Sequence, residues 1–259
     1  MKLSGKTIIL TGAAGGIGEA LARRFSRENP RALLLLDLHE SKLQTLAGRL
    51  SIDNLETGTG DVSDPADIKA WVDHMEARYG GVDLFCSNAG IFAAGGADAD
   101  LSAWQKSLDV NVMAHVHAAR ACLPGMLARG SGYFLQTISA AGLLSQIGSA
   151  PYTVSKHASL GFAEWLAITH GRDGIGVTAL CPQGVRTDML STIDNVDTVA
   201  GDGLAGTDEV AECAADAIAR ETFLALPHPR VADYFRRKAE DHDRWIRGMQ
   251  RLQEKLAGQ

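Results

Sequence analysis

The chain has 259 residues, 46% of them hydrophobic, and carries a net charge of −6. That size and apolar share suit a sizeable core, while the acidic balance excludes the basic face that nucleic-acid binding requires. The longest apolar run near the start, Ala32 to Leu36, is far too short to span a membrane. The N-terminus lacks a signal-peptide pattern. Cys86, Cys122, Cys181 and Cys213 have no paired or zinc-type spacing, so reduced thiols and a cytoplasmic setting are expected.

Short β-like runs alternate with amphipathic stretches to about residue 226. "KTIILT" predicts a first strand, followed by a helix from about Gly16 to Glu28 with Ile17, Leu21 and Phe25 at helical spacing. "RALLLLDL" predicts a second strand, apolar throughout as in a sheet covered on both faces. Lys42 to Leu50 reads as a helix and "ETGTGDV" as a third strand. "SDPADIKAWVDHMEARYG" has a cap-like Ser63 or Asp64, Pro65 in its first turn and a closing glycine, the marks of a helix. "VDLFCSNAG" predicts the fourth strand. One long helix is expected from about Leu101 to Arg129, bent near Pro124. "GYFLQTIS" then predicts a fifth strand ending at Ser139, Pro151 to His170 a helix and "GIGVTALCP" a sixth strand. Residues 184–206 read as a loop, "TDEVAECAADAIAR" as a capped helix and "TFLAL" as a short last strand. Beyond Pro227, Trp245, Met249, Leu252 and Leu256 mark one face of a terminal helix. Alternation over this length predicts an α/β fold, a Rossmann-type doubly wound parallel sheet of about seven strands with helices on both faces. The chain is expected to form one domain over 1–259, with 184–206 as a substrate loop and 228–259 as a helical extension.

"TGAAGGIG" at 11–18 places Gly12, Gly16 and Gly18 where the first strand turns into a helix. That turn borders the ligand crevice of a doubly wound sheet. Bare backbone and a helix N-terminus there suit a pyrophosphate. The spacing is GxxxGxG, neither GxGxxG nor a P-loop. Asp37, 19 residues after Gly18, is placed to accept hydrogen bonds from ribose hydroxyls and to repel a 2′-phosphate. Gly15, Leu38 and His39 supply no lasting positive charge, so NAD(H) is favoured over NADP(H).

Tyr152 and Lys156 lie one helical turn apart. A tyrosine with a pKa near ~10 is a poor base, and a nearby ammonium and a cationic nicotinamide are expected to lower it. Ser139, at a strand end, is placed to bond the reacting oxygen, and Asn111 is a polar residue in an apolar helical stretch. His115 and His117, two apart, face different ways and form no metal pair.

With "DV" (Asp61, Val62), "SNAG" (87–90), "YTVSK" (152–156) and "CPQGVRT" (181–187), these motifs closely resemble the short-chain dehydrogenase/reductase family over residues 6 to about 226. The resemblance implies a catalytic tetrad of Asn111, Ser139, Tyr152 and Lys156, with Asn111 steadying a water behind Lys156. It implies cofactor contacts from Gly12, Gly16, Ile17, Gly18 and Asp37, adenine contacts from Asp61 and Val62, and support from Asn88, Ala89 and Gly90. Tyr152, Lys156, Pro182, Val185 and Thr187 join them at the nicotinamide end, with Lys156 on its ribose. It implies oxidation of a secondary alcohol or reduction of a ketone, and a homodimer or homotetramer packed through the long central helices. Ser87 and Gln183 depart from the family pattern; Gln183, where glycine is usual, either shapes the substrate site or points away. Phe92, Leu143, Leu144, Ile147 and Met189 are expected to line an apolar substrate site. The terminal helix either joins a subunit contact or covers its own site. A catalytically silent NAD-binding sensor and an epimerase or dehydratase are the rival readings. The intact tetrad argues against the first and the short chain against the second.

Overall fold

A computed structural model describes residues 1–193, 196–198 and 201–257. Positions 194, 195, 199 and 200 of the expected 184–206 loop, and 258–259 of the extension, lie outside the described residues. The strands are β1 (Thr7–Thr11), β2 (Ala32–Asp37), β3 (Leu55–Thr59), β4 (Leu84–Ser87), β5 (Gly132–Thr137), β6 (Ile175–Leu180) and β7 (Leu224–Ala225). They form one parallel sheet in the order β3-β2-β1-β4-β5-β6-β7. The chain steps outward from β1 to β3, then returns to the other side of β1. The switch point therefore falls between β1 and β4, where the carboxyl ends open a crevice.

The helices are α1 (Gly16–Ser26), α2 (Glu40–Ala47), α3 (Pro65–Tyr79), α4 (Leu101–Leu108), α5 (Ala114–Arg129), α6 (Ala140–Leu143), α7 (Ala150–His170), α8 (Thr207–Arg220), α9 (Arg230–Glu240) and α10 (His242–Ala257). Alternate strand residues serve opposite cores. Ile8, Leu10, Leu33 and Leu35 pack with Leu21 and Phe25 of α1 and Val210 of α8. Ile9, Leu34, Phe85 and Phe134 pack with Val72 and Met75 of α3, Cys122 of α5 and Leu166 of α7. Both faces of the sheet are dry, which is why β2 is apolar throughout instead of alternating. No helix among the described residues is long and apolar enough to cross a membrane.

Four expectations change. The long helix is three pieces, because a π turn at Asp109–Met113 separates α4 from α5; Pro124 lies inside α5. The extra residue of a π turn lets Asn111 point inward to partners, and such turns favour functional sites. β5 stops at Thr137, and Ser139 instead caps α6, its Oγ accepting from the Ala141 amide at 3.0 Å. The terminal segment is two helices broken at Asp241. The 184–206 loop contains 3₁₀ turns at Asp188–Thr192 and Val196–Thr198.

α3 matches its signature. Asp64 accepts from the Ala66 amide at 2.8 Å, Pro65 opens the helix, and Gly80 closes it at φ +82°. Asp64→Ala is expected to lower unfolding free energy by about 1 kcal/mol without altering ligand binding. Denaturant titration checks this, and an unchanged midpoint would remove the cap from the account.

Candidate active site

The crevice at the switch point is a cleft of about 930 Å³. Its floor is the turn between β1 and α1. Gly12 (φ +63°) and Gly16 (φ +54°) adopt left-handed backbone, which side chains resist. A Cβ on Gly12 would meet the Ala89 backbone at 2.7 Å, and one on Gly18 would lie 1.9 Å from the Gly12 carbonyl oxygen. Gly15 has nothing within 4 Å of its would-be Cβ and provides no side-chain cap to α1. The turn is thus tight beneath and open above, with uncapped N–H groups facing the cleft, an arrangement suited to an anionic phosphate.

Asn88 fixes that turn to the sheet. Its Nδ2 donates to the carbonyls of Thr11 (3.3 Å) and Gly12 (3.1 Å), its backbone N–H donates to Thr11 Oγ1 (3.0 Å), and its Oδ1 accepts from Thr137 Oγ1 (3.0 Å). One amide side chain therefore joins the ends of β1, β4 and β5. Asp37 ends β2 on the cleft wall. Its Oδ2 accepts from the Ala14 amide at 2.9 Å and its Oδ1 from the His39 amide at 3.1 Å, so the carboxylate is already oriented toward the turn. The Asp61 carboxylate accepts from the Ser63 hydroxyl (2.7 Å) and amide (2.9 Å), which hold its pKa below the ordinary value. A glycine cradle, an uncapped helix start and an aligned acceptor at Asp37 together fit an adenine dinucleotide.

At the other end of the cleft stand Ser139, Tyr152 and Lys156. The Lys156 ammonium lies 5.6 Å from the Tyr152 ring centroid and donates to the Thr137 carbonyl at 3.3 Å. Burial lowers the Lys156 pKa to about 8, because desolvation disfavours the ammonium. Burial raises Tyr152, with a hydrogen bond from Ser139 pulling the other way. In the protein alone the tyrosine is therefore raised, not lowered as expected, because desolvation outweighs the Ser139 hydrogen bond. Asn111 is fully buried behind this group. Its Oδ1 accepts from the Ile91 amide (2.9 Å), and its Nδ2 donates to the Ile91 carbonyl and Ser155 Oγ (3.0 Å each). The amide is spent on pinning the 88–91 loop to α7. A Cβ on Gly90 would stand 3.3 Å from Asn111 Oδ1 and 3.5 Å from Lys156 Nζ.

Gly12, Gly16, Ile17, Asp37, Asp61, Val62, Asn88, Ala89, Gly90, Ser139, Tyr152, Lys156, Pro182, Val185 and Thr187 all line this cleft. Gly18 and Asn111 stand outside the lining and act from beneath and behind. Of the expected substrate wall, Phe92, Leu144 and Met189 line the cleft. Leu143 does not, because it packs into the α5/α7 core, and Ile147 is also outside the lining. Leu190 and Ile193 take their place.

Two features escaped sequence reasoning. Lys238 of α9 donates to the carbonyls of Leu143 (2.9 Å) and Leu144 (3.0 Å) and contacts His157 Nε2 at 3.4 Å, with Trp245 4.8 Å beneath it. The C-terminal extension thereby clips the wall next to α7. His115 is buried with neither ring nitrogen bonded; burial and the Lys156 charge lower its pKa to about 3. Its place one turn after Asn111 was visible, but its depth was not.

Residues 6–197 match the family model described as short chain dehydrogenase. The oxidoreductase UcpA of Escherichia coli (strain K12) is 34% identical over 198 residues, 74% of this chain and 74% of that protein. A 1-deoxy-11-beta-hydroxypentalenate dehydrogenase of Streptomyces exfoliatus is 31% identical over 245 residues, 91% of this chain and 89% of that protein. A short-chain dehydrogenase/reductase structure from Burkholderia phymatum, in complex with NAD, superposes with a TM-score of 0.84 at 28% identity, covering 94% of this chain and 96% of that one.

A lysine with a folded pKa of about 8 against an ordinary 10.5 opposes folding while the unfolded chain holds the proton. Between those values the unfolded state binds more protons, so this group's contribution to stability rises with pH across that window. Lys156→Met is therefore expected to raise unfolding free energy at pH 7 by about 1–3 kcal/mol, the desolvation relieved minus one hydrogen bond. The gain should shrink as pH climbs through that window and be gone above it. Denaturant titrations at the two ends check this, and an equal gain at both would contradict the assignment.

Proposed function

The chain belongs to the short-chain dehydrogenase/reductase family, and from that premise we propose that it is an NAD(H)-dependent oxidoreductase interconverting a secondary alcohol and a ketone. The observation that carries the reading is the convergence of Ser139, Tyr152 and Lys156 on one end of a cleft whose other end is the glycine turn and Asp37. The α1 N-terminus and the amides of the 12–17 turn would hold the pyrophosphate, Asp37 the adenosine ribose, and Asp61 and Val62 the adenine. Pro182, Val185 and Thr187 would flank the nicotinamide, which when bound takes up or gives back a hydride.

The protein's own part is proton transfer and alignment. Tyr152 removes the hydroxyl proton in oxidation and returns it in reduction. Lys156, charged below its pKa of about 8, favours the phenolate once the tyrosine is deprotonated. Ser139 bonds the substrate oxygen and Tyr152, so both stay aligned. Asn111 acts through the 88–91 loop that it pins beneath Lys156. The apolar wall of Phe92, Leu144, Met189 and Leu190 supports a substrate with a hydrophobic body. In this reading residues 1–259 work as one unit, with 184–206 as the substrate loop and 228–259 bracing it. Exposed Leu101, Met113, Val154, Trp165 and Ile168 on the α4, α5 and α7 side support assembly as a homodimer or homotetramer.

Tyr152→Phe is expected to keep NADH affinity while turnover falls ~10²–10⁴-fold. Stopped-flow NADH formation beside fluorescence titration of NADH measures both, and retained turnover would refute the role. A wild-type protein that binds NADH yet oxidises no alcohol in an aliphatic, aromatic and steroidal panel would favour the silent sensor. Asp37→Ala should lower the NAD-to-NADP ratio of kcat/KM by about tenfold, roughly the effect of one charge-assisted hydrogen bond. Parallel assays with both cofactors measure the ratio, and an unmoved ratio would take Asp37 out of cofactor selection.

A further inference from the structure

Gln183 follows β6 at the reacting end of the cleft. The peptide unit before it is held on both sides. The Pro182 carbonyl accepts from the Ala140 amide at 2.8 Å and from Ser139 Oγ at 3.4 Å. The Gln183 N–H donates to Nδ1 of the buried His228 at 3.2 Å. Gln183 thus starts from a fixed backbone directly beside Ser139, and it lines the cleft.

Its side-chain amide has no hydrogen-bond partner among the described residues, and Oε1 is buried. A buried amide oxygen left unpaired is costly, and an apolar residue of similar length would avoid the cost. Gln146, the other amide on this wall, is already committed: its Nε2 donates to the Ile147 carbonyl and to Thr198 Oγ1. Phe92, Leu144 and Met189 offer no polar group. Gln183 Nε2, the end of the amide that is not closed off, is therefore free to donate to a substrate oxygen. A hydroxyl oxygen is the small neutral group that accepts this bond.

We propose that Gln183 determines specificity by holding a hydroxyl on the carbon next to the reacting one, so that the preferred substrate is a vicinal diol, or an α-hydroxy ketone in the reverse direction, on an otherwise apolar body. This rests on the assignment of Ser139 and Tyr152 to the reacting oxygen. Ser139 and Gln183 meet through the Pro182 carbonyl, so neighbouring side chains serve neighbouring oxygens. The redox chemistry is that of the proposed reaction: the held hydroxyl loses neither proton nor electrons, and only the reacting carbon gives up hydride.

The test compares trans-cyclohexane-1,2-diol with cyclohexanol, using full-length wild type, Gln183→Leu and the equally long Gln183→Met. Wild type should favour the diol in kcat/KM by about tenfold, and both variants should bring that ratio close to one, with NADH affinity as the check on folding. A ratio that is the same in all three proteins overturns the proposal. Calorimetric titration of the two probes into the protein–NADH complex reads the preference without turnover. Tighter diol binding in wild type alone supports Gln183, and equal affinities overturn it. Wild type that binds NADH but turns over neither probe counts against the proposed reaction, and the calorimetric comparison still decides the role of Gln183.

Discussion

Setting a buried amine beside a half-buried phenol at the mouth of the cleft, where water solvates both charges poorly, is the constraint on which the rest of this structure depends. Desolvation pushes Lys156 down and Tyr152 up. Each shift disfavours the charged form that proton transfer needs. The pair persists because rigid surroundings hold it. Lys156 is tied to the Thr137 carbonyl at the end of β5. Asn111 and Ser155 tie α7 to the 88–91 loop beneath it. Sites of this kind sacrifice stability for function.

The parallel sheet brings the two halves of the cleft together. Its order reverses between β1 and β4, so the glycine turn after β1 and the Asn88 loop after β4 are neighbours. Asn88 reaches on to Thr137, and Thr137 receives Lys156. A short series of hydrogen bonds therefore runs from the glycine turn to Lys156. The C-terminal helices brace the opposite wall from behind without lining the cleft. Lys238 directs its ammonium at two carbonyls of the 143–144 segment and at His157, the residue after Lys156. The extension thus braces the chain's own cleft, and none of its described residues covers it.

Legibility in the sequence followed the range of the interaction. The glycine turn, Asp37, the Tyr152–Lys156 pair and the capped α3 are local patterns, and each lies where its spacing implied. The continuous apolar character of β2 announced a sheet covered on both faces. The π turn at Asp109–Met113 was hidden, because α4 and α5 keep helical periodicity on either side and the cause is a distant partner, Ile91. Ser139 read as a strand end because the cap of a four-residue helix leaves little trace. Leu143 and Leu144 are adjacent and chemically alike, so only coordinates could send one to the core and the other to the cleft. Lys238 and His228 are separated from their partners by long stretches of chain that no local pattern connects.

The most direct measurement is the titration of Tyr152 by carbon-13 NMR of ζ-labelled tyrosine, in the protein alone and with NAD⁺ bound. The account predicts a phenol above its ordinary value in the protein alone and a clear displacement downward when the cationic ring arrives beside it. A phenol already low without NAD⁺, or one indifferent to its arrival, would contradict the claim that a buried amine and an incoming cation together set the proton transfer.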